Sequence, residues 1–121
     1  MSRPSTAEAW RILVRRANEY CEEDKRFFSE SGISEYWIEH ANMEEIAIGR
    51  MKGDKSGPGK PSTLWPIPFE LGWEKLLNSE SGEVPASTIP KGVKIQEIAV
   101  VTLLEGIIEW SDNRGIIRFC D

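Results

Sequence analysis

A glycine- and lysine-rich segment, GDKSGPGKPST at residues 53–63, contains the residue types that could surround a phosphate. A Walker-type loop has the pattern G-x-x-x-x-G-K-[ST], in which backbone N–H groups surround the phosphates and the hydroxyl binds magnesium. Gly59 and Lys60 supply the G-K pair, but the first position falls on Asp54 and the last on Pro61. Because proline has no N–H and no hydroxyl, the sequence argues against a nucleotide site in this segment.

The same segment fits a protein-recognition pattern better. Lys55, Pro58 and Pro61 match basic-x-x-P-x-x-P, the spacing of polyproline II ligands that dock on aromatic grooves. Residues 64–69 follow with four large apolar side chains and two prolines, which predicts either an anchor presented to a partner or a buried crossover between helices. The residues that we predict to contact a partner are Lys55, Pro58, Lys60, Pro61, Trp65 and Phe69.

Two titratable residues stand out in the N-terminal half. His40 precedes Glu44 by four residues, a spacing that permits a hydrogen bond or a shared metal in a helix. A zinc site needs three or four ligands, however, and no cysteine stands at ligand spacing. Asp24 interrupts an apolar stripe, so it is a partly buried carboxylate, a residue at the edge of that stripe, or the partner of a basic residue in another element. The sequence predicts no metal and no other cofactor.

The elements that would position these residues are predicted to be helical in the N-terminal half. Ser5 and Glu8 form a capping box, and Ser31-Gly32 is a stop signal. A second helix is predicted from Ser34 to about Met51, with apolar residues on two sides. Between cap and stop, apolar residues recur in steps of mostly three and four at Trp10, Leu13, Val14, Ala17, Tyr20, Cys21, Phe27 and Phe28.

The C-terminal half predicts a short third helix over residues 69–77 and an ambiguous run over residues 93–110. The spacing within 93–110 favours a helix, whereas its β-branched residues favour strands. Residues 111–115 form a strong turn signal. We therefore predict a single, mainly α domain over residues 1–121: a bundle of about four helices with a Gly/Pro/Lys crossover loop at 52–68 and a short extended C-terminal segment. The alternative is an α+β fold with a C-terminal antiparallel hairpin or meander.

Composition and charge bound the functional classes. The chain has 121 residues, 40% of them hydrophobic, a net charge of −5 and a pI near 5.0. This acidic balance disfavours nucleic acid and anionic membranes as partners. The two cysteines, Cys21 and Cys120, could pair, but without a secretory signal they indicate a reduced, cytoplasmic protein.

These observations favour a small acidic protein-binding module or inhibitor without catalysis of its own. Immunity proteins and phage-encoded or bacterial accessory proteins that block other machinery act in this way, and five tryptophans provide anchors. Two alternatives stay open. One is a small-molecule or nucleotide-binding enzyme that uses His40, Asp24 or Lys60. The other is a subunit of a homo-oligomer or larger assembly, with its interface on the second helix and residues 93–110.

Overall fold

The described residues form three helices and seven strands, and the strands belong to two antiparallel sheets. The computed structural model describes residues 3–29, 32, 34–51, 61–89, 94–111 and 115–120, to which all structural statements refer. One sheet has the strand order β1-β2-β3-β4 and the other the order β5-β7-β6. The elements, in chain order, are α1 (Thr6–Glu22), β1 (Arg26–Phe28), β2 (Glu35–Ala41), β3 (Ile46–Met51), β4 (Ser62–Leu64), α2 (Pro66–Leu77), β5 (Glu83–Pro85), α3 (Lys94–Leu103), β6 (Ile108–Trp110) and β7 (Ile116–Phe119).

The first helix begins where the sequence predicts and ends earlier. The Ser5 hydroxyl accepts a hydrogen bond from the backbone N–H of Glu8, which confirms Ser5 as the N-cap. The helix ends at Glu22 because Asp24 adopts φ 52°, a left-handed conformation that no helix continues through. The prediction that the apolar stripe runs on to Phe28 was therefore wrong, and residues 26–28 form an edge strand instead.

The second predicted helix, over residues 34–51, is also wrong. This region is the β2–β3 hairpin, in which Trp37 pairs with Gly49 and Ala41 with Ile46. Asn42 closes the turn, since its side-chain Oδ1 accepts from the backbone N–H groups of Glu44 and Glu45. The apolar residues that looked like two faces of a helix are the period-2 pattern of strands packed on a core.

The C-terminal half is closer to the prediction. The third predicted helix is present as α2, which starts at Pro66, a residue type suited to the first helical position. The run that was ambiguous in the sequence contains both a helix and a strand. α3 ends at Leu103, the chain turns at Gly106 with φ 89°, and β6 follows. β6 and β7 pair antiparallel, which is the hairpin of our alternative. The mainly α bundle is thus overturned, and the fold is α+β.

A single cluster of buried side chains joins these elements. α1 packs on one face of the larger sheet, where Tyr36, Ile38 and Ile48 are buried. An aromatic row continues the core: the ring centroids of Trp10 and Phe69 lie 5.6 Å apart, those of Phe69 and Trp73 5.7 Å, and those of Trp73 and Phe119 5.3 Å. This row connects α1 through α2 to the smaller sheet. The side of α2 that carries Phe69 and Trp73 is therefore packed against both.

Candidate functional site

Three large apolar side chains lie exposed at the start of α2. Trp65, the N-cap residue, is 50% exposed, Ile67 69% and Leu71 60%. We call these three residues the α2 patch. They make up half of the large hydrophobic side chains that are exposed in the described ranges; the others, Phe28, Met43 and Met51, lie on or beside the strands of the larger sheet.

The orientation of the patch is fixed by the buried residues on the opposite side of the same helix. Phe69, Trp73 and Leu76 are fully buried, and their spacing of four and three residues is that of one helical face. Ile67 and Leu71 are also four residues apart, on a different face that points to solvent. Because the core holds the buried face, the exposed face has a defined orientation.

Such a patch can contribute binding energy to a protein contact. Scattered exposed apolar residues are ordinary, but a group of them within two helical turns is typical of an interaction surface. Apolar anchors at positions i and i+4 of a helix are the pattern with which helices enter apolar grooves. Tryptophan is among the residue types that most often dominate interface energies.

The residues that we predicted to contact a partner are distributed differently in the structure. Trp65 and Pro61 are exposed, whereas the Phe69 side chain is in the core and reaches no surface. Lys55, Pro58 and Lys60 lie outside the described residues, as do residues 53–60 of the segment considered as a phosphate loop. Sequence reasoning missed Ile67 and Leu71. Their four-residue spacing, out of phase with Phe69 and Trp73, is the signal that could have revealed them.

The titratable residues singled out from the sequence are on the surface. The His40 Nε2 lies 2.9 Å from Oε2 of Glu45, not beside Glu44, because a hairpin turn and not a helix separates them. Asp24 is exposed and pairs with Arg26 at 3.2 Å, so its place in the apolar stripe does not lead to burial. Within the described ranges, no three histidine, cysteine or acidic side chains converge as metal ligands, and Cys21 and Cys120 do not form a disulfide.

The face of the larger sheet opposite Ile38 and Ile48 carries an aromatic residue, Trp37, whose ring already has contacts within the protein. The Trp37 indole lies across Gly49, where a Cβ atom would come within 2.3 Å of its Nε1. The Arg26 guanidinium covers the ring from a distance of 4.7 Å to its centroid. Arg26 is in turn paired with Asp24 and Glu35. Both sides of the indole are therefore occupied, and the arginine charge is offset by two carboxylates.

A polar cleft of about 370 Å³ lies where the chain after α2 meets β7. Its charged side chains balance, since two arginines face two glutamates, and the Arg118 Nε donates to Glu109 at 2.9 Å. The Ser79 hydroxyl donates to the backbone oxygen of Glu83. The cleft thus favours neither a cation nor an anion. Its lining residues are Arg3, Ser79, Glu80, Ser81, Gly82, Glu83, Arg118 and Phe119.

Comparison with known proteins adds one relative of unstated function. The chain is similar to the uncharacterized protein MJ0589 of Methanocaldococcus jannaschii, with 28% identity over 78 residues, which is 64% of this chain and 72% of the relative. No protein-family model and no solved structure matches. None of the helices in the described ranges has the length and apolar character needed to cross a bilayer.

Proposed function

We propose that this protein is a small acidic protein-binding module, and that the α2 patch forms the centre of its contact with a partner protein. The observation that carries the proposal is the exposure of Ile67 and Leu71 on a helix whose other face is fully buried, together with the exposure of Trp65 at the N-cap of that helix. Such a module would inhibit by occupying a surface of its partner, so that the partner could no longer bind other molecules there. No catalysed step would be needed.

The energetics support a contact of this kind. Burial of apolar surface contributes about 25 cal/mol per Å², and three half-exposed large side chains together offer on the order of a few hundred Å². The helix that carries them is already ordered by its buried aromatic face. Little conformational entropy would therefore be lost on binding. The net charge of −5 would speed the encounter with a basic partner.

Self-association is the competing use of the same surface. A stable interface buries about 800 Å² on each partner, which is more than the α2 patch alone can supply. A homodimer would therefore need a second contact region beside the patch. Light scattering over a range of concentrations separates the two cases, because a dimer changes mass on dilution and a module for another protein does not.

Substitution of Trp65 with serine is expected to reduce partner binding at least about tenfold without unfolding the protein. Leu71→Ser should act in the same direction, because both changes remove apolar area that a partner would cover. The measurement is affinity capture with quantitative mass spectrometry, followed by calorimetric titration of the captured partner against each variant. Thermal unfolding should show both variants within about 0.5 kcal/mol of the original stability.

The matched control is Met43→Ser. Met43 is 53% exposed, like the patch residues, but it lies in the β2–β3 turn. The contact that its backbone oxygen makes with the Trp10 Nε1, at 2.9 Å, does not depend on its side chain. The proposal fails if the Trp65 and Leu71 variants capture the same proteins as the original, or if Met43→Ser weakens binding as much as they do.

A further inference from the structure

The first turn of α3 closes an edge of the larger sheet. The Gln96 side chain is buried, and its Nε2 donates to the Ser62 hydroxyl at 2.9 Å and to the backbone oxygen of Thr63 at 3.0 Å. β4, which contains both acceptors, is the last strand of its sheet. Such an edge offers unpaired backbone groups to other chains unless something covers it. Gln96 therefore donates a hydrogen bond to a backbone oxygen of this edge strand, as a neighbouring strand would otherwise do.

The residue after Gln96, Glu97, places an acidic side chain in the buried interior beside this contact. Glu97 is only 7% exposed and makes no hydrogen bond or ion pair with any other residue in the described ranges. A carboxylate in that position has lost most of its water without gaining a donor from the part of the chain that the structure describes. Unpaired burial of this kind is unfavourable for a polar group, and more so for a charged one.

Few charges nearby offset that cost. Burial raises the pKa of the Glu97 carboxyl, and the attraction of the Lys94 ammonium, one turn earlier, lowers it by less. From the other packed elements, Arg16 of α1 donates instead to the backbone oxygens of Leu103 and Glu105 at the far end of α3. On β3 the nearest charged side chain is Arg50, which makes no ion pair with Glu97, and β4 has no charged residue. Glu109 of β6 is paired with Arg118.

We propose that Glu97 makes the closure of the β4 edge pH-dependent, so that the first turn of α3 holds the edge most firmly when this carboxyl is protonated and releases it more often when it is ionised. Release is the least costly way for the carboxylate to reach water, because α3 begins only three residues before Glu97. The positive end of the helix dipole partly favours the ionised form, but burial is the largest influence on the pKa of this carboxyl and acts in the opposite direction.

The direction of the pH effect follows from linkage. A carboxyl whose pKa is higher in the folded state than in the unfolded state stabilises the fold when protonated. That stabilisation is fully present below the usual glutamate pKa of about 4.3 and is lost as the pH rises through the higher value of the folded protein. The edge should therefore be better protected in mild acid than at neutral pH.

Amide hydrogen exchange of the whole chain, corrected for the intrinsic pH dependence, tests the proposal. Between about pH 4 and about pH 7, we expect protection of the Ser62–Leu64 and Ile98–Val101 amides to fall about three- to tenfold in the original protein. In Glu97→Gln, which keeps the shape and removes the charge, protection of these amides should stay level. Glu74→Gln, at an exposed position on α2, serves as the control and should behave like the original.

Two results would overturn the proposal. One is an equal loss of protection in the original and in Glu97→Gln, which would place the pH dependence elsewhere. The other is a carbon-detected titration of the Glu97 carboxyl in the unmodified protein that gives a pKa at or below the usual glutamate range. The titration does not depend on a variant, so it decides the question even if Glu97→Gln folds poorly.

Discussion

Replacement of Gly72 with alanine is expected to destabilise the protein by about 3 kcal/mol, although alanine is the better helix former. A Cβ atom at this position would lie 2.2 Å from the backbone oxygen of Thr88 and 2.8 Å from Cγ1 of Ile89. The first of these atoms belongs to the backbone, so it cannot move aside as a flexible side chain would. α2 would have to shift away from the segment that precedes α3, and the fit of its buried face would be lost.

Chemical denaturation with urea measures this effect as a lower transition midpoint at an unchanged slope. The matched control is Glu74→Ala, two residues further along the same helix and exposed, which should change stability by no more than about 0.5 kcal/mol. If Gly72→Ala were neutral or stabilising, helix propensity would outweigh the close approach. The packing described for α2 would then be incorrect.

Truncation of Phe69 to alanine should cost about 3–5 kcal/mol, which is the usual range for a buried aromatic residue. Phe69 is fully buried between Trp10 and Trp73, so its removal leaves a cavity in the row of rings that joins α1 to the smaller sheet. With a total stability on the order of 5–15 kcal/mol for a domain, the loss would be a large part of what holds the fold.

Ile67→Ala is the control for Phe69→Ala, because it truncates an exposed residue of the same helix. Ile67 is two residues away on the same helix and exposed, so its truncation should alter stability by at most about 0.5 kcal/mol. Thermal or urea unfolding of the two variants reads out the difference. Phe69→Ala should weaken partner binding only through unfolding, whereas Ile67→Ala should weaken it in a protein of normal stability. Equal stability of the two variants would contradict the burial of Phe69.

Local signals along the chain predicted some elements well. The Ser5 cap depends on a hydroxyl and a backbone N–H three residues apart, and the structure has that hydrogen bond. α2 was predicted from the three- and four-residue spacing of Phe69, Trp73, Leu76 and its neighbours, and it is helical. Both features involve groups within one or two turns of each other, so the sequence contains the whole interaction.

Residues 34–51 show where such signals become ambiguous. Tyr36, Ile38, Ile46 and Ile48 can be placed on a helical face or on one side of two strands. The structure pairs Ile38 with Ile48 and packs α1 against them. That choice depends on a neighbouring strand and a helix more than ten residues away, whose contributions a local pattern does not contain. The error in the fold class follows mainly from this hairpin and from β1.

The residues of the candidate site were likewise predictable only in part from the sequence. From the sequence alone, Trp65 and Phe69 were equivalent: two large apolar residues beside prolines, either of them suited to a core or to an interface. The tertiary structure separated them, since α2 turns Phe69 toward Trp10 and leaves Trp65 at the N-cap with half of its surface in water. Ile67 and Leu71 joined the site for the same reason, because exposure is a property of the packed helix.

What the sequence by itself determined is the acidic charge balance, the start of α1 and the existence of α2, because these depend on composition or on groups close together in the chain. Only the tertiary structure decided which apolar residues form the core and which form the α2 patch, and that residues 34–51 are strands. Burial and strand pairing are set by contacts between segments far apart in sequence, whose free energies appear only when the segments meet.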